Sequence, residues 1–222
     1  MQNVRMVFAK EGFAVFISHL DLLRCVSRAL ARACIPVKYT QGFNPQPYLI
    51  FSPPLSLGYA GYAELCDFSL EDDAMTMEEL LEKLRAVMPQ GVRPISCAPP
   101  VHKLGEIAAA DYETELLLEG ACAAQWEEPV RLCLSRESIP IVKRTKRGQR
   151  EADLAKAMKN LQVLREKENT ITLKCRLPLS GEDSLNPLYL LQVLRQELPA
   201  MPLADETISR LGFFLQDGSP FC

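Results

Sequence analysis

From Val4 onward the chain runs twice through one order of hydrophobic periods: an alternating run, a helical stretch, two extended runs, a second helical stretch and a final alternating run. Nothing else restricts the fold as much, because a period of two buries one face of a strand and a period of 3.6 buries one stripe of a helix. In the first half Val4 to Lys10 alternates, Gly12 turns the chain, and Phe13 to Ile17 is expected to pair back as a strand. Ser18 has the form of an N-cap with Asp21 three residues on, where an acid suits the helix dipole. The helix is predicted from about His19 to Ala33, stopping ahead of Pro36. Residues 37–62, with Pro45, Pro47, Pro53 and Pro54 and with Gly42, Gly58 and Gly61, read as an extended segment broken by turns. Tyr62 to Leu70 then reads as a strand, Met77 to Met88 as an amphipathic helix closed by Pro89, and Val92 to Ala98 as a strand.

Pro99-Pro100 opens a stretch without strong periodicity that reaches Ala110 and reads as a linker. Beyond it the predicted elements are a strand at Tyr112–Leu118, a helix at Ala123–Ser135, a strand at Ile139–Lys143 and a short helix at Asp153–Lys159. A hairpin follows, Leu161–Glu166 with Thr170–Leu177 about Glu168-Asn169, then a helix capped by Asn186-Pro187 and a last strand at Ile208–Gln216. Each half thus has the order strand, helix, two strands, helix, strand. The expected architecture is α+β: two ferredoxin-like α/β sandwich units in tandem, 1–98 and 111–222, joined by 99–110. A single continuous α+β domain is the alternative; no letter-level repeat relates the halves.

Composition limits the function classes. The 222 residues are 48% hydrophobic and 24% charged, ordinary for a globular chain and unlike a disordered or coiled-coil one. No run approaches the length of a membrane span, and residues 1–10 lack the apolar centre of a signal peptide, so a cytoplasmic protein with no membrane partner is expected. No two of the eight cysteines lie within four residues of each other. Half-sites for zinc or an iron–sulfur cluster are therefore missing, and neither metal nor cofactor is expected.

The formal net charge of −3 hides strong segregation. Residues 1–60 carry six bases and two acids, 61–82 eight acids and no base, and 143–176 eleven bases and four acids. On the first helix Leu22, Leu23, Val26, Leu30 and Ala33 share one apolar sector, while Arg24, Arg28 and Arg32 run along the opposite face. Like charges at that spacing repel unless an anion or an ion pair offsets them. The stripe is thus either a solvated face or a track for phosphates, which arginine binds with two donors. The stretch from Lys143 through Arg144, Lys146 and Arg147 to Arg150 packs five bases into eight residues around Gly148, a solvated hairpin tip or a phosphate contact. His19 sits at the strand-to-helix junction beside Ser18 and Asp21, placed to contact a partner or to order the helix start. Gln41, Phe43 and Asn44 lie in a proline-stiffened loop where Phe43 could stack on a base or anchor the loop. Phosphate-binding and nucleophile motifs are missing, so no catalytic residue is assigned.

The runs Phe16-Ile17-Ser18-His19-Leu20-Asp21-Leu22-Leu23-Arg24, Arg28-Ala29, Ile35-Pro36, Tyr39 and Gln41-Gly42-Phe43-Asn44-Pro45 resemble the bacterial radical SAM-linked protein family, otherwise labelled a domain of unknown function. Ser52-Pro53-Pro54-Leu55-Ser56-Leu57-Gly58, Glu64, Asp67, Lys143-Arg144, Gly148, Asp153-Leu154 and Arg210 extend the resemblance along nearly the whole chain. It implies a radical SAM protein of the B12-binding type as partner, in the same polypeptide or beside it. Gln46 departs from the family, which commonly has histidine after Asn-Pro. The expected function is a non-catalytic accessory module that binds RNA for a radical SAM enzyme. Its expected contacts are Ser18, His19, Asp21, Arg24, Arg28, Arg32, Gln41, Phe43, Asn44, Lys143, Arg144, Lys146, Arg147 and Arg150. A protein–protein adaptor and a metal-independent RNA-processing enzyme using His19 are the alternatives.

Overall fold

The computed structural model describes residues 1–71, 74–120, 122–145 and 148–221. Two compact units divide them, Met1–Ile107 with Pro220–Cys222, and Ala108–Ser219. Residues 99–110, expected as a linker, hold a 3-10 turn at Leu104–Glu106 and the start of the strand Ala109–Leu118.

In the first unit β1 (Gln2–Lys10) is followed by α1 (His19–Arg32), β2 (Ile50–Phe51), β3 (Ala60–Leu70), α2 (Met77–Val87) and β4 (Val92–Ala98). The strands lie in the order β4-β1-β3-β2, each pair antiparallel. Alternation turns Val4, Met6 and Phe8 of β1 to one face, and the register places Phe68 and Cys66 opposite the first two. Val26 and Leu30 of α1 with Leu80 and Leu84 of α2 complete this core. The α2 start is fixed by a capping box, Thr76 Oγ accepting from the Glu79 N–H and the Glu79 carboxylate from the Thr76 N–H.

One expected element is different. Phe13–Ile17 does not pair back as a strand; Gly12–Phe16 is a 3-10 helix. Its N–H groups bond locally, Ala14 to the Glu11 carbonyl and Ile17 to the Ala14 carbonyl. Gly12 turns the chain at φ +57, and Gly91, at φ +88, accepts a 2.8 Å bond from the Glu11 N–H. A Cβ at Gly91 would lie 2.6 Å from the Glu11 carbonyl oxygen, so glycine is required there.

In the second unit β5 (Ala109–Leu118), α3 (Ala123–Leu134), β8 (Gln162–Lys167), β9 (Thr170–Pro178), α4 (Leu188–Glu197) and β10 (Leu203–Phe214) form an antiparallel sheet in the order β10-β5-β9-β8. In both units the first strand to be made lies beside the last and the third. Between α3 and β8 the second unit adds a two-stranded sheet, β6 (Pro140–Thr145) and β7 (Gly148–Asp153), and a 3-10 helix, Ala155–Asn160. The five-base stretch expected as a loop tip is therefore mostly strand. Lys143 pairs across the ladder with Arg150 and Arg144 with Gln149, while Lys146 and Arg147 lie outside the described residues.

Candidate functional site

The start of α1 gathers the residues that the sequence singled out. Ser18 is the N-cap: its Oγ accepts from the Asp21 N–H at 3.1 Å and donates to the Asp21 carboxylate at 2.7 Å. Asp21 also accepts from Arg24 at 2.9 Å. These bonds, the Ser18 hydroxyl first, hold the Asp21 carboxyl below the usual range. Ser18 and Asp21 are thus committed to the helix terminus. Arg24, Arg28 and Arg32 are exposed along the face opposite buried Val26, Ala29 and Leu30. Arg32 reaches the Val87 carbonyl that ends α2 at 2.9 Å. Among the described residues Arg24 has only its exposed pair with Asp21, an interaction of little net worth in water.

His19 is half-buried, its ring edge-on to Phe51 with centroids 5.4 Å apart. Behind it sit three buried polar side chains that sequence reasoning did not assemble: Lys10, Ser52 and Glu64. Lys10 Nζ donates to the Val15 carbonyl at 3.2 Å, and Ser52 Oγ donates to Glu64 at 3.4 Å while accepting from the Leu65 N–H. Glu64 folds over Gly61, where a Cβ would lie 2.5 Å from its Oε1. A signal was available for Lys10, since the alternation that turns Val4, Met6 and Phe8 inward turns Lys10 inward as well. The space these groups enclose with His19 is about 10 Å3, room for about one water.

Gln41, Phe43 and Asn44 stand at the tip of an irregular hairpin. Tyr39 bridges Pro47, the Thr40 N–H donates to the Gln46 carbonyl at 2.8 Å, and the Thr40 hydroxyl accepts from the Gln46 N–H at 3.0 Å. Gln46, the departure from the family pattern, also donates to the Asn44 side chain at 3.3 Å. The hairpin projects Phe43 entirely into solvent. A second exposed apolar set, Phe13, Phe16 and Leu20, surrounds the approach to α1, and Leu57 joins it through the Gly58 N–H bond to the Val15 carbonyl.

In the second unit Lys143 and Arg150 line a cleft of about 540 Å3. Lys143 is buried and donates to the Glu182 carbonyl at 2.7 Å; Arg150 pairs with the Glu182 carboxylate. Of the basic segment, Lys143 is thus turned inward and Arg150 is ion-paired at the surface.

Burial pushes Cys97 and Cys175 each up to about 12 and Cys66 well above the ordinary thiol value. Among the described residues no three His, Cys, Asp or Glu side chains come together as metal ligands, and no helix is long and apolar enough to cross a membrane.

Residues 3–187 match a bacterial family described as "Uncharacterized protein conserved in bacteria (DUF2344)". The chain belongs to this family. No curated protein matches the chain. Among solved structures, the crystal structure of an unknown protein from Galdieria sulphuraria aligns over 94% of this chain and 98% of its own, at 13% identity and a TM-score of 0.27. That similarity is too low to bear on fold or function. Family membership fixes a bacterial lineage of domains and leaves the activity to be argued from the site.

Proposed function

We propose that the chain is a non-catalytic accessory module that works in the cytoplasm with a radical SAM protein and holds an RNA strand for it. The observation that carries this reading is the arginine ridge of α1: three guanidinium groups spaced by single turns along the exposed face of a helix whose other face is buried. Phosphates repeat along a strand and take two donors from each arginine, so a ridge of this kind follows a backbone without reading its bases. Phe43 at the hairpin tip adds an aromatic surface on which a base can stack. We also read both units as ferredoxin-like; the shared strand order, with the helices between the corresponding strands, supports that.

The test is the affinity of purified protein for short single-stranded RNA as a function of salt. The logarithm of affinity should fall linearly with the logarithm of salt concentration. Replacing Arg24, Arg28 and Arg32 with Gln should flatten the slope by about 0.7 for each phosphate no longer held. Absence of RNA binding at low salt defeats the reading. RNA should remain intact over hours at neutral pH; cleavage that His19→Ala stops, with the melting temperature unchanged, would make the protein an enzyme.

An adaptor that binds only protein is the second reading. It is favoured by Phe13, Phe16, Leu20 and Leu57, apolar side chains left in water around the same helix start. A radical SAM partner that co-purifies with the protein but not with a Phe13→Ser/Phe16→Ser variant would support it.

A further inference from the structure

In the second unit, Lys143 and Arg150 face each other across the β6–β7 ladder. Two like charges directly opposed on one face of a sheet repel and destabilise the pairing unless an anion offsets them. The anion present is the chain's own. Glu182, in the loop between β9 and α4, gives its carboxylate to Arg150 and its backbone carbonyl to Lys143. Those two oxygens are unequal partners. Lys143 retains only 6% of its surface, yet the one bond its ammonium makes among the described residues is to a neutral carbonyl. A buried ammonium is poorly compensated by a carbonyl alone. Asp153, also on the cleft wall, accepts its hydrogen bonds from the Ile139 and Ala155 N–H groups and the Ser138 hydroxyl and makes none with Lys143.

The contact on the other side is weak. The Glu182 side chain is 79% exposed and that of Arg150 is 50% exposed, so water competes for both. Gly181, at φ +70, lets the loop turn immediately before Glu182. Beside the pair lies the 540 Å3 cleft, lined also by the bases Lys156 and Arg176 and by the acids Glu151, Asp153 and Asp183. Its volume falls in the range of ligand sites.

We propose that this cleft is a phosphate site occupied by a built-in substitute: the Glu182 carboxylate and carbonyl stand where two phosphate oxygens bind, and an incoming phosphate group displaces the loop from Arg150 and Lys143. Lys143 makes no ion pair among the described residues, and a direct anionic partner is what a phosphate supplies and the Glu182 carbonyl does not. The phosphate is carried by an RNA strand or by a small phosphate ester; the first source rests on the RNA reading above, the second does not.

The experiment titrates short single-stranded RNA and, separately, inorganic pyrophosphate against the wild type and the variants Glu182→Gln, Arg150→Gln and Glu119→Gln, with circular dichroism confirming the fold of each. Glu119→Gln makes the same change in net charge at an exposed position that does not line the cleft. Glu182→Gln should bind about two- to fivefold tighter, the factor released when an exposed ion pair no longer competes. Arg150→Gln should bind several-fold weaker, and Glu119→Gln should match the wild type. An equal gain in Glu182→Gln and Glu119→Gln, or no gain in either ligand, overturns the proposal. RNA binding that responds to the α1 arginines but not to Glu182 overturns it and leaves the RNA reading standing. Pyrophosphate binding that tightens in Glu182→Gln, with no RNA bound by any variant, keeps the site and defeats the RNA reading.

Discussion

In the first unit an arginine on the first strand meets an aspartate on the third; in the second unit the aspartate is on the first strand and the arginine on the third. Arg5 bonds Asp67 at 2.8 and 2.7 Å, and Arg176 bonds Asp111 at 2.7 and 3.1 Å, each as a two-pronged fork. Each guanidinium also covers a phenylalanine ring, Phe221 at 4.8 Å and Phe214 at 3.2 Å. The geometry is shared and the surroundings are not. Each arginine donates a further bond to a backbone carbonyl, Arg5 to that of His102 and Arg176 to that of Gly218, but Arg5 keeps 3% of its side-chain surface whereas Arg176 and Asp111 each keep 34%. The same fork is thus an internal structural member in one unit and a surface clip in the other, because the worth of breaking an ion pair follows its burial.

The sharpest way to break that comparison is to remove the aspartates. Asp67→Ala leaves the Arg5 charge buried and should cost about 3 kcal/mol or more in urea unfolding. Asp111→Ala should cost less than about 1 kcal/mol. Equal losses would mean that burial is not the deciding variable. Next in size, Gly61→Ala forces a methyl group into the buried Glu64 side chain and should cost about 2 kcal/mol, an overpacking effect that a glycine in open space does not show. Gly105, with nothing within 4 Å of the place a Cβ would take, is the control and should tolerate alanine. Ser18→Ala removes the α1 cap and should cost about 1 kcal/mol with RNA affinity retained, because the arginine ridge remains exposed.

The smallest effect is a pH dependence in the second unit. The Ile139 and Ala155 N–H groups and then the Ser138 hydroxyl hold the Asp153 carboxyl below its ordinary value. A carboxylate whose folded pKa is lowered stabilises fully above its unfolded pKa of about 4 and loses that contribution as the pH falls through the folded value. Asp153→Asn should therefore lower stability at neutral pH and flatten its decline below about pH 4. A profile parallel to that of the wild type would show that the carboxylate charge contributes nothing.

Periodicity made most of the elements legible. The α1 limits follow from Ser18 and Pro36, and α2 and β4 lie within one residue of their expected ends. Phe13–Ile17 misled because an unbroken apolar run just after a glycine turn reads as a returning strand, but only Ala14 of Gly12–Phe16 is buried and both phenylalanines face water. The inward turn of Lys143 was hidden by its neighbours: five bases in eight residues suggest solvent, while its burial depends on Glu182, 39 residues away. The forks were beyond reach for the same reason, with partners separated by 62 and 65 residues. Of the candidate site, the arginine ridge could be read from spacing alone. The Lys10, Ser52 and Glu64 group needed the β1–β3 register and the return of the chain through residue 52.

Phe221 belongs to the first unit although the whole of Ala108–Ser219 precedes it in the chain. On the ribosome, at roughly 5–20 residues per second, synthesis of the second unit takes on the order of ten seconds, and that ring is made only after it. Until then Arg5 has its aspartate but lacks its aromatic cover. The unit translated first is therefore the one completed last, and its nascent form must wait, incompletely sealed, for a residue more than a hundred positions downstream of its own last strand.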